Sequence, residues 1–226
     1  MALFRRQVPD PADTAQREEW AALRAAGFDA IRPLLIPTIR ETPAEEQTLT
    51  KPLGSGLSAV LSVRVEHGSF TVLRSVAAEW GVDDAELWAI ALHNLRREPY
   101  EVHQQASERP VYLLYGTSQY TSAYLLLLHE LVRDPTPHGM LVIAPSHTTL
   151  GFWVIPDKSV VPALDVIGKL GRDLWEKAQA NGGGFTPTLF WWADGQLDEV
   201  ALKEEGNSVV VTSSERFRTM LYRFAQ

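Results

Sequence analysis

No cysteine occurs in the 226 residues of the chain. Its absence excludes disulfides, thiolate zinc sites, iron–sulfur clusters and cysteine nucleophiles together, and it fits a reducing compartment. Clustered basic charge is missing too. The net charge is −7, and the only adjacent basic pairs are Arg5-Arg6 and Arg96-Arg97. Neither can displace the counterions of a phosphate backbone, so a nucleic-acid partner is not expected. No apolar run approaches the ~18 residues that span a bilayer. The opening Met1-Ala2-Leu3-Phe4-Arg5-Arg6-Gln7 lacks the apolar stretch of a secretion signal. The expectation is a soluble, cytoplasmic protein without a membrane partner.

Histidine spacing narrows the chemistry further. His67, His93, His103, His129, His138 and His147 are never three or four residues apart, so no helix face carries the imidazole pair of a zinc hydrolase. No metal and no cofactor are expected. Gly182-Gly183-Gly184 follows a helical stretch and Gly54-Ser55-Gly56 precedes a strand-like one. A phosphate loop must instead precede a helix, so that its N–H groups face the anion. The adjacent acids Glu45-Glu46, Asp83-Asp84 and Glu204-Glu205 read as solvated surface or caps, and none forms an acid/base dyad.

What is present is an ordinary globular composition, 45% hydrophobic and 22% charged. Arginine outnumbers lysine 16 to 5, a bias that suits a GC-rich bacterial genome. Residues 1–12 read as a flexible arm and 13–226 as a single α+β domain. Asp13 opens a helix that Gly27 stops, and four prolines between 33 and 52 suggest extended coil with a short edge strand at 34–39. Residues 57–65 alternate like a half-buried strand, turned by His67-Gly68-Ser69. A short helix at 73–80 precedes one capped by Asp83, with Glu86 three residues on. Strands are expected at 101–106 and 111–115, and a helix capped by Ser118 over 119–133. Residues 141–144 and 150–155 read as neighbouring central strands joined by Pro145-Ser146-His147-Thr148-Thr149. A long amphipathic helix over 159–180, strands at 188–193 and 208–212, and a terminal helix capped by Ser213 complete the pattern. Helices and strands in mixed order favour α+β: a mixed, mainly antiparallel sheet of five to seven strands with helices packed on both faces.

The stretch Val76-Ala77-Ala78-Glu79-Trp80-Gly81-Val82, then Glu86-Leu87 and Ala91-Leu92-His93-Asn94-Leu95, resembles the YtpQ-like family of bacterial proteins. Ser122-Ala123-Tyr124-Leu125-Leu126 and Gly139-Met140-Leu141-Val142-Ile143-Ala144-Pro145 are similar as well. That family is a domain of unknown function, so the resemblance implies a fold and supplies no reaction. The chain departs from the family pattern after Pro145: Ser146 keeps its small polar residue, but His147 and Thr148 stand in place of an arginine and an acid.

Two places merit attention as a ligand or partner surface. Ser146, His147 and Thr148 are the densest polar cluster between two apolar runs, offering hydroxyls and an imidazole that titrates near neutral pH. Serine and threonine there can equally be satisfying the backbone of the turn. Trp191 and Trp192 are strand neighbours and must point to opposite faces, so either both faces are covered or one indole is exposed. No nucleophile elbow surrounds Ser146. The expected function is a non-catalytic binding or protein-interaction module, whose partner is a protein, a second copy of the chain, or a small-molecule ligand. The alternative is a metal-independent, hydrolase-like enzyme that pairs His147 with a distant carboxylate.

Overall fold

A computed structural model describes residues 11–41, 47–66, 68–104, 110–132, 135–205 and 208–224. Most of the expected N-terminal arm, and His67, lie outside these residues. In chain order the elements are α1 (Pro11–Ala26), α2 (Phe28–Ile31), a 3-10 turn (Arg32–Leu34), β1 (Leu35–Glu41), β2 (Thr50–Gly54), β3 (Leu57–Val65) and β4 (Gly68–Thr71). Then come α3 (Arg74–Glu79), α4 (Asp84–Leu95), β5 (Tyr100–Gln104), β6 (Tyr112–Gly116), a 3-10 helix (Thr121–Leu127), α5 (Leu128–Leu131), β7 (Met140–Ser146) and β8 (Thr149–Val154). The chain continues through α6 (Val160–Ala180), β9 (Leu189–Ala193), β10 (Gln196–Glu205), β11 (Ser208–Ser213) and α7 (Glu215–Tyr222). The class is α+β. The strands divide between two sheets: one of four in the order β1-β3-β2 with β4 also on β3, and one of seven in the order β11-β10-β9-β7-β8-β6-β5. Every neighbouring pair in the larger sheet is antiparallel.

Two compact units hold these elements, one drawn from 1–37, 45–49 and 60–96, the other from 38–44, 50–59 and 97–226. Within the first, Trp20 stacks on Phe70 at 5.4 Å and Phe28 meets Trp80 at 5.3 Å. Helix α4 starts where Asp83 accepts a hydrogen bond from the Glu86 amide at 2.7 Å, as the capping pattern predicts. Asn94 donates to the carbonyls of Arg32 and Leu35 at 3.0 and 2.8 Å, tying α4 to the 3-10 turn. Two residues that carry the family resemblance, Trp80 and Asn94, thus have structural tasks.

In the second unit β7 is the central strand, and all seven of its residues are buried. Leu141 and Ile143 face a core completed by Trp153, Leu189 and Trp191 from neighbouring strands and by Leu164, Ile167 and Phe217 from α6 and α7. Helix α6 lies close because it places glycines over this face. A Cβ on Gly171 would stand 2.8 Å from Ile143, and one on Gly168 would stand 2.6 Å from Leu202. Tyr100, Gly116, Phe152, Val142 and Phe190 alternate to the opposite face. The 3-10 helix covers that side, where a side chain on Gly116 would run into Thr121 and Tyr124 meets Tyr100 edge-on at 4.7 Å. Helices therefore sit on both faces, as expected.

Several elements differ from their expected form. The expected edge strand at 34–39 is β1, at the edge of the smaller sheet, but residues 28–56 also contain α2 and β2 in place of coil. Strand β3 is buried along almost its whole length, not on one face alone. The expected helix over 119–133 is a 3-10 helix followed by one turn of α-helix. The Ser122 amide donates to the His147 carbonyl at 3.0 Å, and the Tyr124 hydroxyl donates to the Glu98 carbonyl at 3.0 Å. Ser214, not Ser213, caps α7, accepting from the Phe217 amide at 3.2 Å.

Candidate functional site

The two sequence candidates lie at opposite ends of β7. Trp191 and Trp192 pair with Leu141 and Met140 at its start, whereas Ser146 closes it. Five residues of strand separate Leu141 from Ser146, roughly 17 Å. The candidates form two places, not one.

At the far end, the connection between β7 and β8 is a two-residue turn, His147-Thr148, tighter than the five-residue loop expected. Both turn carbonyls accept backbone hydrogen bonds: His147 from the Ser122 amide at 3.0 Å and Thr148 from the Gly116 amide at 2.9 Å. The Ser146 and Thr148 hydroxyls lie 3.1 Å apart and satisfy each other. Segment 184–186 continues the pairing, with the Phe185 amide donating to Pro145 at 2.9 Å. This brings Phe185 into a stack with the His147 ring at 4.6 Å. Burial, and then the Arg40 guanidinium, lower the His147 pKa and favour the neutral ring. Its Nδ1 lies 3.5 Å from the Ser122 hydroxyl. Ser122 is only 1% exposed, so a substrate cannot reach it as a nucleophile. Among the described residues no carboxylate orients the imidazole.

At the other end a cavity of about 530 Å³ opens between the loop before β7, the end of β9 and α7. Thr136, His138 and Gly139 form one wall, Trp191, Trp192 and Asp194 the second, and Glu215, Arg216, Thr219 and Arg223 the third. The positions follow from local structure. Asp194 and Gly195, with φ of 53° and 77°, make the tight left-handed turn between β9 and β10. Gly139, φ 75°, passes close under the Trp192 backbone. On α7, Arg216, Thr219 and Arg223 recur at helical spacing on one side, while Phe217 and Met220 enter the core.

Trp191 is buried in the core and donates from Nε1 to the His138 carbonyl at 2.9 Å. Arg216 lies over its ring at 5.3 Å. That guanidinium donates to the Ala193 carbonyl at 3.3 Å and stands 3.9 Å from Asp194 and 3.7 Å from Asp198. The buried Nδ1 of His138 makes no hydrogen bond among the described residues, though its ring meets Phe224 at 4.6 Å. The Trp191 indole is thus enclosed beside the cavity, while the Trp192 indole is half-buried on the opposite face of the sheet.

Of the five sequence candidates, only Trp191 and Trp192 line this cavity. Ser146, His147 and Thr148 belong to the distant turn. His138, Arg216 and Arg223 share no sequence signal, because they meet only through tertiary contact. Asp194-Gly195 is the one local signal pointing here, since such a dipeptide between strands marks a hairpin. Among the described residues no three His, Asp or Glu side chains gather closely enough to hold a metal, and no helix is long and apolar enough to cross a membrane. Comparison with protein-family models, curated proteins and solved structures returns no match to the chain.

Proposed function

We propose that the protein is a non-catalytic binding module whose ligand is a small molecule held in the cavity at α7. The observation that carries this reading is a cavity lined by charged groups of both signs, Arg216 and Arg223 with Asp194 and Glu215, beside the buried Nδ1 of His138, which has no hydrogen-bond partner among the described residues. A pocket of about 530 Å³ falls within the size of small-molecule sites, roughly 300–1,000 Å³. A protein partner or a homodimer is less well supported. The exposed large apolar residues, Leu73, Val102, Val161, Val166, Val210 and Tyr222, are scattered over separate elements. Val161 and Val166, five positions apart on α6, point to different sides of it. Bacterial origin, a cytoplasmic location and kinship with the YtpQ-like family belong to the same proposal. They rest on the arginine bias, the missing cysteines and the 76–95 pattern.

The hydrolase alternative would place its base at His147, where the adjacent serine is buried. A ligand panel read by thermal shift, run on the wild type and on Thr219→Trp, separates the readings. Thr219 is exposed on α7 and lines the cavity, so the larger side chain fills it. Compounds that raise the wild-type Tm and leave the variant's unchanged are expected. Turnover of an ester, phosphate or glycoside that disappears in His147→Ala would overturn the proposal.

A further inference from the structure

The cavity at α7 carries both signs of charge, and this narrows its ligand. Arg216 and Arg223 contribute two guanidinium groups, and Asp194 and Glu215 two carboxylates. The formal charge of the lining is therefore two positive against two negative, or zero. A ligand with a single charge meets a repelling group for each attracting one, whereas a ligand with both charges can pair with both sets. Arg216 is held loosely enough to take part. It has five N–H donors, and among the described residues its one hydrogen bond is to Ala193. Its approaches to Asp194 and Asp198, 3.9 and 3.7 Å, exceed the ~2.7–2.9 Å of a charge-assisted hydrogen bond. Its guanidinium also lies over the Trp191 ring, 5.3 Å from the centroid. His138 adds a buried ring nitrogen that can accept from an ammonium or donate to a carboxylate, according to its tautomer. Pro137 supplies apolar surface beside these groups.

We infer that the ligand is a zwitterion, a free α-amino acid with an apolar side chain. The arginines receive its carboxylate, Asp194 and Glu215 receive its ammonium, and the exposed ring of Pro137 takes the side chain. A peptide terminus offers only one of the two charges at one point, so a peptide matches the lining less well. This inference rests on the binding reading above.

The test is calorimetric titration with L-leucine, L-methionine and L-phenylalanine, each alongside its amide and its deaminated acid. A zwitterion is expected to bind, with each singly charged analogue at least about tenfold weaker, since charge-assisted pairs are the strong ones. Arg216→Gln could disturb α7 itself, so the variants are Arg223→Gln and Glu215→Gln, both at exposed positions. Each should weaken the amino acid severalfold. Glu215→Gln should tighten the deaminated acid, whose carboxylate it no longer repels, and Arg223→Gln should tighten the amide for the same reason. An analogue with one charge binding as tightly as the amino acid overturns the inference. If none of the zwitterions binds but another compound does, and Thr219→Trp blocks it, the zwitterion is wrong and the binding reading stands. If no compound binds in a manner sensitive to Thr219→Trp, both fail.

Discussion

The Trp191 indole donates its Nε1 proton to the His138 carbonyl at 2.9 Å, and this bond joins β9 to the loop that leads into β7. The same indole is buried against Phe217 on one side and has Arg216 over its ring. A single side chain thereby couples the core to the cavity wall. Trp191→Phe keeps most of the apolar volume but leaves the carbonyl without its donor. The expected loss is about 1–3 kcal/mol, from an unsatisfied buried acceptor and lost packing. Urea unfolding of the two proteins measures it, and an unchanged midpoint would show that the bond contributes nothing.

Gly139 makes that arrangement possible. Its φ is 75°, and a Cβ there would stand 2.7 Å from Trp191 Nε1, with the Trp192 carbonyl closer still. Gly139→Ala meets both a strained backbone and a rigid obstacle, which flexible side chains cannot relieve. Its cost should exceed that of Trp191→Phe, and it should also abolish ligand-induced thermal shifts by displacing His138. A Gly139→Ala protein as stable as the wild type would contradict this placement of the loop.

Where a single local contact decides the structure, the sequence was readable. The Asp83 cap, the apolar runs of β7 and β8, and the amphipathic stripe of α6 each follow from residue type and spacing. Ser213 and Ser214 show where that reading fails. Either residue can cap a helix that follows, and the choice depends on a contact sixteen residues away. The Ser214 hydroxyl donates to Asp198 at 2.7 Å while accepting from the Phe217 amide. Strand β10 carries no strand signal in its sequence, since Asp198, Glu199, Lys203 and Glu204 break any continuous apolar alternation. The strand is held by partners on both sides. The cavity was illegible for the same reason. It gathers 136–139, 191–194 and 215–223, and no spacing rule relates these segments.

The two serines can be told apart by substitution. Ser214→Ala removes the cap and the Asp198 hydrogen bond together, and should cost about 1–2 kcal/mol. Ser213→Ala removes a hydroxyl that is buried without a hydrogen-bond partner among the described residues, so it should be neutral or mildly stabilising. Equal effects of the two changes in thermal unfolding would remove Ser214 from the cap position.

Ser55 closes a gap in the larger sheet. Strand β11 pairs with β10 only from Val200 onward, and Ser55 Oγ accepts from the Glu199 amide at 2.6 Å and donates to the Leu197 carbonyl at 3.0 Å. It reaches them from a backbone at φ 47°, between two glycines. Ser55→Ala should cost about 1 kcal/mol, with faster hydrogen exchange at the Glu199 amide than at amides paired to β9. Unchanged exchange at Glu199 would show that the hydroxyl is not its partner.

His147 should make stability depend on pH. Burial first, and the nearby Arg40 second, lower its pKa in the folded protein. Between that lowered pKa and the ordinary value near 6.5, the unfolded chain binds more protons than the folded one, so stability rises with pH. The stability contributed by the neutral ring is fully present above pH ~6.5 and is lost as the pH falls through that window. His147→Gln removes the titration and should flatten this part of the profile. Arg40→Gln removes the repelling charge and should narrow the window from its acid side without abolishing it. Urea unfolding of the three proteins between pH 5 and 8, as a test range, resolves the slopes. A His147→Gln profile parallel to the wild type would mean that the stacked ring under Phe185 protonates as freely folded as unfolded, and that the turn is far more open to water than its contacts imply.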